Sequence, residues 1–177
     1  MHNFNIHSSY EGLNMVEVYS RYGSFQNVTH HPTAWSKISD DDLVVVGNGF
    51  GRETPLPFGS FEPLQISAGR TQSFYIAIIN GRFMQHTLSS SMVTGDVYVS
   101  TDALSLKVGV SKNYDFFDTH HNVIWNGRIM YSLSGQQESR LTDRYISSTT
   151  SVYGSNSVFC TMVASLLVLS LVNTWFK

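Results

Sequence analysis

The chain has 177 residues, of which only 14% are Asp, Glu, Lys or Arg, and a formal net charge of −2. That length is enough to bury a core in one domain, and so weak and scattered a charge excludes a basic nucleic-acid-binding surface. The single cysteine, Cys160, excludes a disulfide framework and a cysteine-built zinc site.

The first residues, MHNFNIHSSYEG, carry no basic stretch followed by an apolar one, so they do not read as a secretory signal. Phe4–His7 reads as a first short strand. In MVEVYSR, Val16 and Val18 alternate with Glu17, Tyr19 and Arg21, the period of a half-buried strand. Further strands are expected at Leu43–Val46, Leu64–Ser67 and Asp96–Thr101. In LSLKVGV, Leu104, Leu106, Val108 and Val110 alternate with Ser105, Lys107 and Gly109. Asn80-Gly81 and Asn126-Gly127, each set between apolar runs, predict type I′ hairpin turns. No sustained helical stripe occurs between residues 1 and 150. The fold expected is all-β, an antiparallel sandwich of jelly-roll type over 1–135.

From Gln136 the alternation fades into a Ser/Thr-rich run, 136–157, that reads as a stalk. Val158 to Phe176 then gives 19 residues without a charge, enough for a hydrophobic helix across a bilayer core of about 30 Å. Such a tail serves either as a retained span or as a cleaved glycolipid-anchor signal, with Ser147, Ser148 and Ser151 as candidate attachment residues. A buried core helix is the competing reading of the same run. The membrane readings predict a protein held at the extracellular face of a membrane.

Polar groups able to do chemistry gather in loops. Asp40 and Asp42, and further on Asp115, Asp118 and His120, are candidate oxygen and nitrogen ligands for a metal such as Ca²⁺. The same residue types are ordinary turn formers. Adjacent strand histidines point to opposite faces, so His120 and His121 do not share one ion unless the backbone turns there. Trp35 and Tyr114 are candidate sugar-stacking rings, whereas Trp125, at the end of an apolar run, is expected in the core. Asn27-Val28-Thr29 is an N-glycosylation sequon, meaningful if the chain enters the secretory route. The glycines of GNGFG lack the Lys-Ser/Thr ending of a phosphate loop.

Val16–Ser24, Trp35, Thr54–Pro57, Ala68–Tyr75, Gly95–Ser100 and Trp125–Gly127 form an ordered set of motifs. Together they resemble an uncharacterised β-sandwich module of secreted and surface proteins in diatoms and other stramenopiles, with relatives among bacterial exported proteins. The resemblance covers most of residues 4–135. It implies a sandwich fold and a surface location, and no activity. It also implies another strand before Phe4, so that this chain is expected to be truncated at its start. YDFFDTHHNVIW departs from the module's pattern, where Tyr-Pro-Phe-Gly and then Ser-Pro-Arg are expected.

The function expected from all this is non-enzymatic: a membrane-anchored surface module for adhesion, touching glycans or matrix proteins. The alternatives are a carbohydrate-active hydrolase or lyase on a jelly-roll fold, and a fragment without independent function.

Overall fold

The computed structural model describes residues 1–80, 82–113, 117–133, 144–148, 153–155 and 157–164. Within them the chain is all-β and its strands pair antiparallel. In chain order the strands are β1 (Asn3–His7), β2 (Glu11–Tyr22), β3 (Ser36–Lys37), β4 (Val44–Asn48), β5 (Glu53–Pro55), β6 (Thr71–Ile78) and β7 (Met84–Leu88). They continue with β8 (Val97–Ser100), β9 (Leu104–Asn113), β10 (Phe117–Trp125), β11 (Gly127–Tyr131), β12 (Arg144–Ser148), β13 (Tyr153–Ser155) and β14 (Ser157–Ala164).

Two sheets result. The smaller has four strands in the order β12-β11-β1-β5; the larger has ten, running β13-β7-β10-β9-β14-β6-β2-β3 with β4 on β2 and β8 on β9. Period-two patterning explains how they close on each other. Phe4 and Ile6 of the small sheet join Val16, Val18, Phe74, Ile76, Ile78, Leu106 and Trp125 of the large one in a single buried cluster. Phe4 sits at its centre, edge-on to Phe74 at 5.1 Å and to Trp125 at 5.9 Å. Aromatic pairs of this geometry add roughly 0.5–1.5 kcal/mol each beyond area burial.

The large sheet is apolar on its other face too. Tyr75 and Ala77 alternate with Phe74, Ile76 and Ile78 along β6, and they pack with Phe25, Trp35 and Val110 in a second cluster beneath the loop that follows β2. Val110 reaches that face because β9 bulges: Phe159 pairs with Val110 and Thr161 with Lys107, leaving Val108-Gly109 opposite one residue. The extra residue reverses the alternation, so Leu104 and Leu106 point into the main core while Val110 points outward.

Four expectations need correction. Leu64–Ser67 forms no strand between β5 and β6; Leu64 N–H instead donates to the Met1 carbonyl at 2.9 Å. Neither Asn-Gly pair makes a hairpin. β6 and β7 are not neighbours in the sheet, and Asn80 spends its side-chain amide on the Leu13 carbonyl at 3.0 Å. Asn126-Gly127 is the corner at which the chain leaves the large sheet after β10 and enters the small one as β11. Asn126 is buried there and accepts a hydrogen bond from Thr87 Oγ1 at 2.9 Å.

The predicted stalk contains strands: β12 pairs with β11 and β13 with β7, Ser157 begins β14, and the rest of 136–157 lies outside the described residues. The hydrophobic helix expected over 158–176 is replaced, as far as Ala164, by β14, paired with β6 on one edge and β9 on the other; residues 165–176 lie outside the described residues. The cause is periodicity. A strand inside a sheet that is apolar on both faces reads as a continuous apolar run, and so does a membrane helix. Val, Phe, Thr and Val in SVFCTMVA favour the strand. Among the described residues no helix is long and apolar enough to cross a membrane.

Candidate functional site

An open groove of about 460 Å³ lies between two loops, Asp40–Val44 and Pro57–Ser60. The second loop is built by its sequence. Ser60 N–H donates to the Pro57 carbonyl at 3.2 Å, and Gly59 takes φ +81 at the third position, the geometry of a type II turn. Glycine supplies the positive φ, and Phe58, at the second position, is left at the tip with 74% of its surface exposed. Ser60 Oγ donates back to the Pro57 carbonyl at 2.5 Å, and Asp40 N–H donates to the Ser60 carbonyl at 3.2 Å, tying the two walls together. Leu43 and Phe61 anchor the walls in the main core.

The floor and rim are acidic. Asp40, Asp41 and Asp42 are all exposed. Lys37 lies beside them, with Nζ 2.9 Å from Asp41 and 3.2 Å from Glu17. The hydrogen bond to Asp41, helped by Glu17, raises the Lys37 amine above its ordinary value against some desolvation. One shared ammonium faces three groove carboxylates, so the groove stays negative. An exposed ring beside hydrogen-bond acceptors can stack on an apolar face and accept from hydroxyls or cations.

The sequence-predicted residues fall in different places. Asp40 and Asp42 line the groove. His120 is exposed on β10, and the backbone of Asp118 belongs to the same strand, whereas Asp115 and Tyr114 lie outside the described residues. Among the described residues no three His, Cys, Asp or Glu side chains converge as a metal would require. Trp35 is not a wet platform: it is 7% exposed, its indole N–H donates to the Val28 carbonyl at 3.3 Å, and its ring packs 6.2 Å from Tyr75. Trp125 is in the core as expected. Asn27 is exposed with φ +66, at the tip of the loop that covers the second cluster. Ser147 and Ser148 are paired within β12, opposite Arg128 and Gly127, and Ser151 lies outside the described residues.

No protein family, curated protein or solved structure matches the chain. The resemblance drawn from the order of its motifs rests on those motifs alone.

Two buried polar groups lie away from the groove. The His86 imidazole is 3% exposed, and desolvation, against a backbone hydrogen bond at Met84, lowers its pKa to about 4, with the neighbouring His120 charge adding to the drop. It is therefore neutral at physiological pH. Lys112 is fully buried on the outward face of β9, with Nζ 3.0 Å from His30 Nδ1, so the loop carrying the sequon is clasped to the sheet through that contact. Neither residue lines the groove.

Phe58 is the residue that sequence reasoning missed. Its signal is local, since Pro-Phe-Gly-Ser is a type II turn sequence whose second position points outward, and an aromatic there has no core to enter.

Proposed function

We propose that this chain is a non-enzymatic contact module of the adhesion class, which holds a glycan in the groove between Asp40–Val44 and Pro57–Ser60. The observation that carries this reading is Phe58, a large ring kept in water at the tip of a rigid turn and flanked by acceptors. A pyranose offers one apolar face for the ring and hydroxyls for Asp40, Asp42 and Ser60. The groove volume, about 460 Å³, falls within the range of small-ligand sites. The exposed sequon at Asn27 fits an extracellular setting for such a module.

C-terminal anchoring joins this reading only at a cost to the fold. A retained helical span and a cleaved signal both require β14 to leave the sheet. The resemblance to secreted surface modules supports the location, and the position of β14 favours a module that reaches its surface without a helical anchor from this segment.

The test is a glycan array followed by titration of the best binder. Phe58→Ala is expected to weaken binding at least about tenfold, the equivalent of roughly 1.4 kcal/mol, with an unchanged melting curve because the ring leaves no cavity. Absence of binding to any glycan, or equal binding by Phe58→Ala, defeats the proposal.

A further inference from the structure

β4 closes one side of the large sheet and, among the described residues, has a ladder partner on one edge only, β2. The hydrogen bond from Val16 N–H to the Leu43 carbonyl, 2.9 Å, sets the phase of that ladder. Val45 and Gly47 therefore turn their backbone groups toward β2, while Val44, Val46 and Asn48 turn theirs away. The outward N–H of Asn48 donates to Thr54 Oγ1 at 3.2 Å. The outward N–H and C=O groups of Val44 and Val46 have no backbone partner among the described residues.

The side chains of the same residues are equally open. Leu13 stands opposite Val46 and Met15 opposite Val44, which places all four on one face, with Leu13 62% and Val46 65% exposed. Natural edges are usually blunted by lysine, proline or a bulge, and Val44-Val45-Val46-Gly47-Asn48 has none of these. The flanks of the strand differ in charge. Asp40, Asp41 and Asp42 precede it, and exposed Arg52 follows it in the turn to β5.

We infer that β4 pairs antiparallel with β4 of a second copy of this chain, about a two-fold axis at Val45. This register joins Val44 of each copy to Val46 of the other and uses the open backbone groups of both. It lays the valines of the two strands side by side on the apolar face. Antiparallel pairing also brings the acidic flank of each copy toward the turn that carries the partner's Arg52, so the charges are self-complementary, as an isologous contact demands. The strand edge shares Val44 and Asp40–Asp42 with the groove, whereas Val46 and Arg52 do not line it, so variants at these two test the pairing apart from the glycan reading.

Sedimentation equilibrium of the full chain over a wide concentration range tests the pairing. A dimer is expected for the native sequence. Val46→Lys, on a side chain already in water, is expected to raise the dissociation constant by at least about tenfold while the monomer keeps its β-sheet circular dichroism. Arg52→Glu is expected to weaken the dimer as well, more at low salt than at high. A native chain that stays monomeric throughout overturns the inference. So does a dimer indifferent to Val46→Lys, or one that is weakened by Phe58→Ala and not by Val46→Lys.

Discussion

A chain lacking residues 156–177 is expected to lose its cooperative unfolding transition altogether. β14 pairs with β6 from Ser157↔Ala77 to Val163↔Thr71, and with β9 from Ser157↔Lys112 to Ala164↔Leu104. Its removal strips the neighbour from one whole edge of each strand. Those strands carry Phe74, Ile76, Ile78, Leu104 and Leu106 of the main core. Each lost ladder bond counts roughly 0.5–1.5 kcal/mol, and the two new edges also expose the apolar faces that β14 separates from water. The sum exceeds the 5–15 kcal/mol, roughly, by which a domain of ordinary stability is folded. A membrane-anchor reading predicts the opposite outcome: the same deletion yields a soluble domain with an unaltered melting curve. Attachment of a glycolipid at Ser147, Ser148 or Ser151 would likewise remove both β13 and β14. Thermal unfolding followed by circular dichroism separates the two.

Gly127→Ala is expected to cost about 4 kcal/mol, or a fall in melting temperature of roughly 10 °C. Gly127 has φ +155 and begins β11 directly after the corner between the sheets. A Cβ there would lie 2.2 Å from the Asn5 carbonyl oxygen and 2.5 Å from Trp125 Cζ2. Neither neighbour can yield cheaply. Asn5 is held in β1 between β11 and β5, and Trp125 is 1% exposed at the centre of the core. Gly59→Ala is the control. It also has a positive φ, +81, yet nothing lies within 4 Å of its Cβ position, so only the backbone penalty of roughly 1–2 kcal/mol applies. Chemical denaturation of both variants against the native chain distinguishes the steric part from the conformational part. Equal losses would contradict the packing described at the corner.

Much of the fold was legible from period two. Val16 and Val18 do face the core while Tyr19 packs on the opposite face, and Trp125 is buried where its apolar run ends. What the pattern could not convey is partnership. Asn-Gly pairs indicate positive φ, and Gly127 has one, but a glycine at a sheet-switching corner and a glycine in a hairpin share that signal. Alternation along β9 also hides the bulge at Val108-Gly109, because a single extra residue reverses the faces without altering composition.

The tail shows the same limit. SVFCTMVA is apolar enough for lipid, and only its ladder partners, 80 to 92 residues earlier in β6 and 45 to 60 residues earlier in β9, distinguish a central strand from an anchor. For the candidate site, the acidic half was readable in Asp40–Asp42, since three carboxylates before a strand stay in water. Its aromatic half is expected at Trp35, in an irregular loop. That loop instead folds down over Tyr75, and the exposed ring at the groove is Phe58.

Hydrogen exchange of the native chain, resolved to the amides of Val158–Val163, tests the placement of the tail most directly. With β14 held between β6 and β9, the ladder-bonded amides of this segment are expected to exchange as slowly as those of Phe74–Ile78, by global unfolding alone. Exchange at the rate of an open chain in this segment, with β6 still protected, would contradict it.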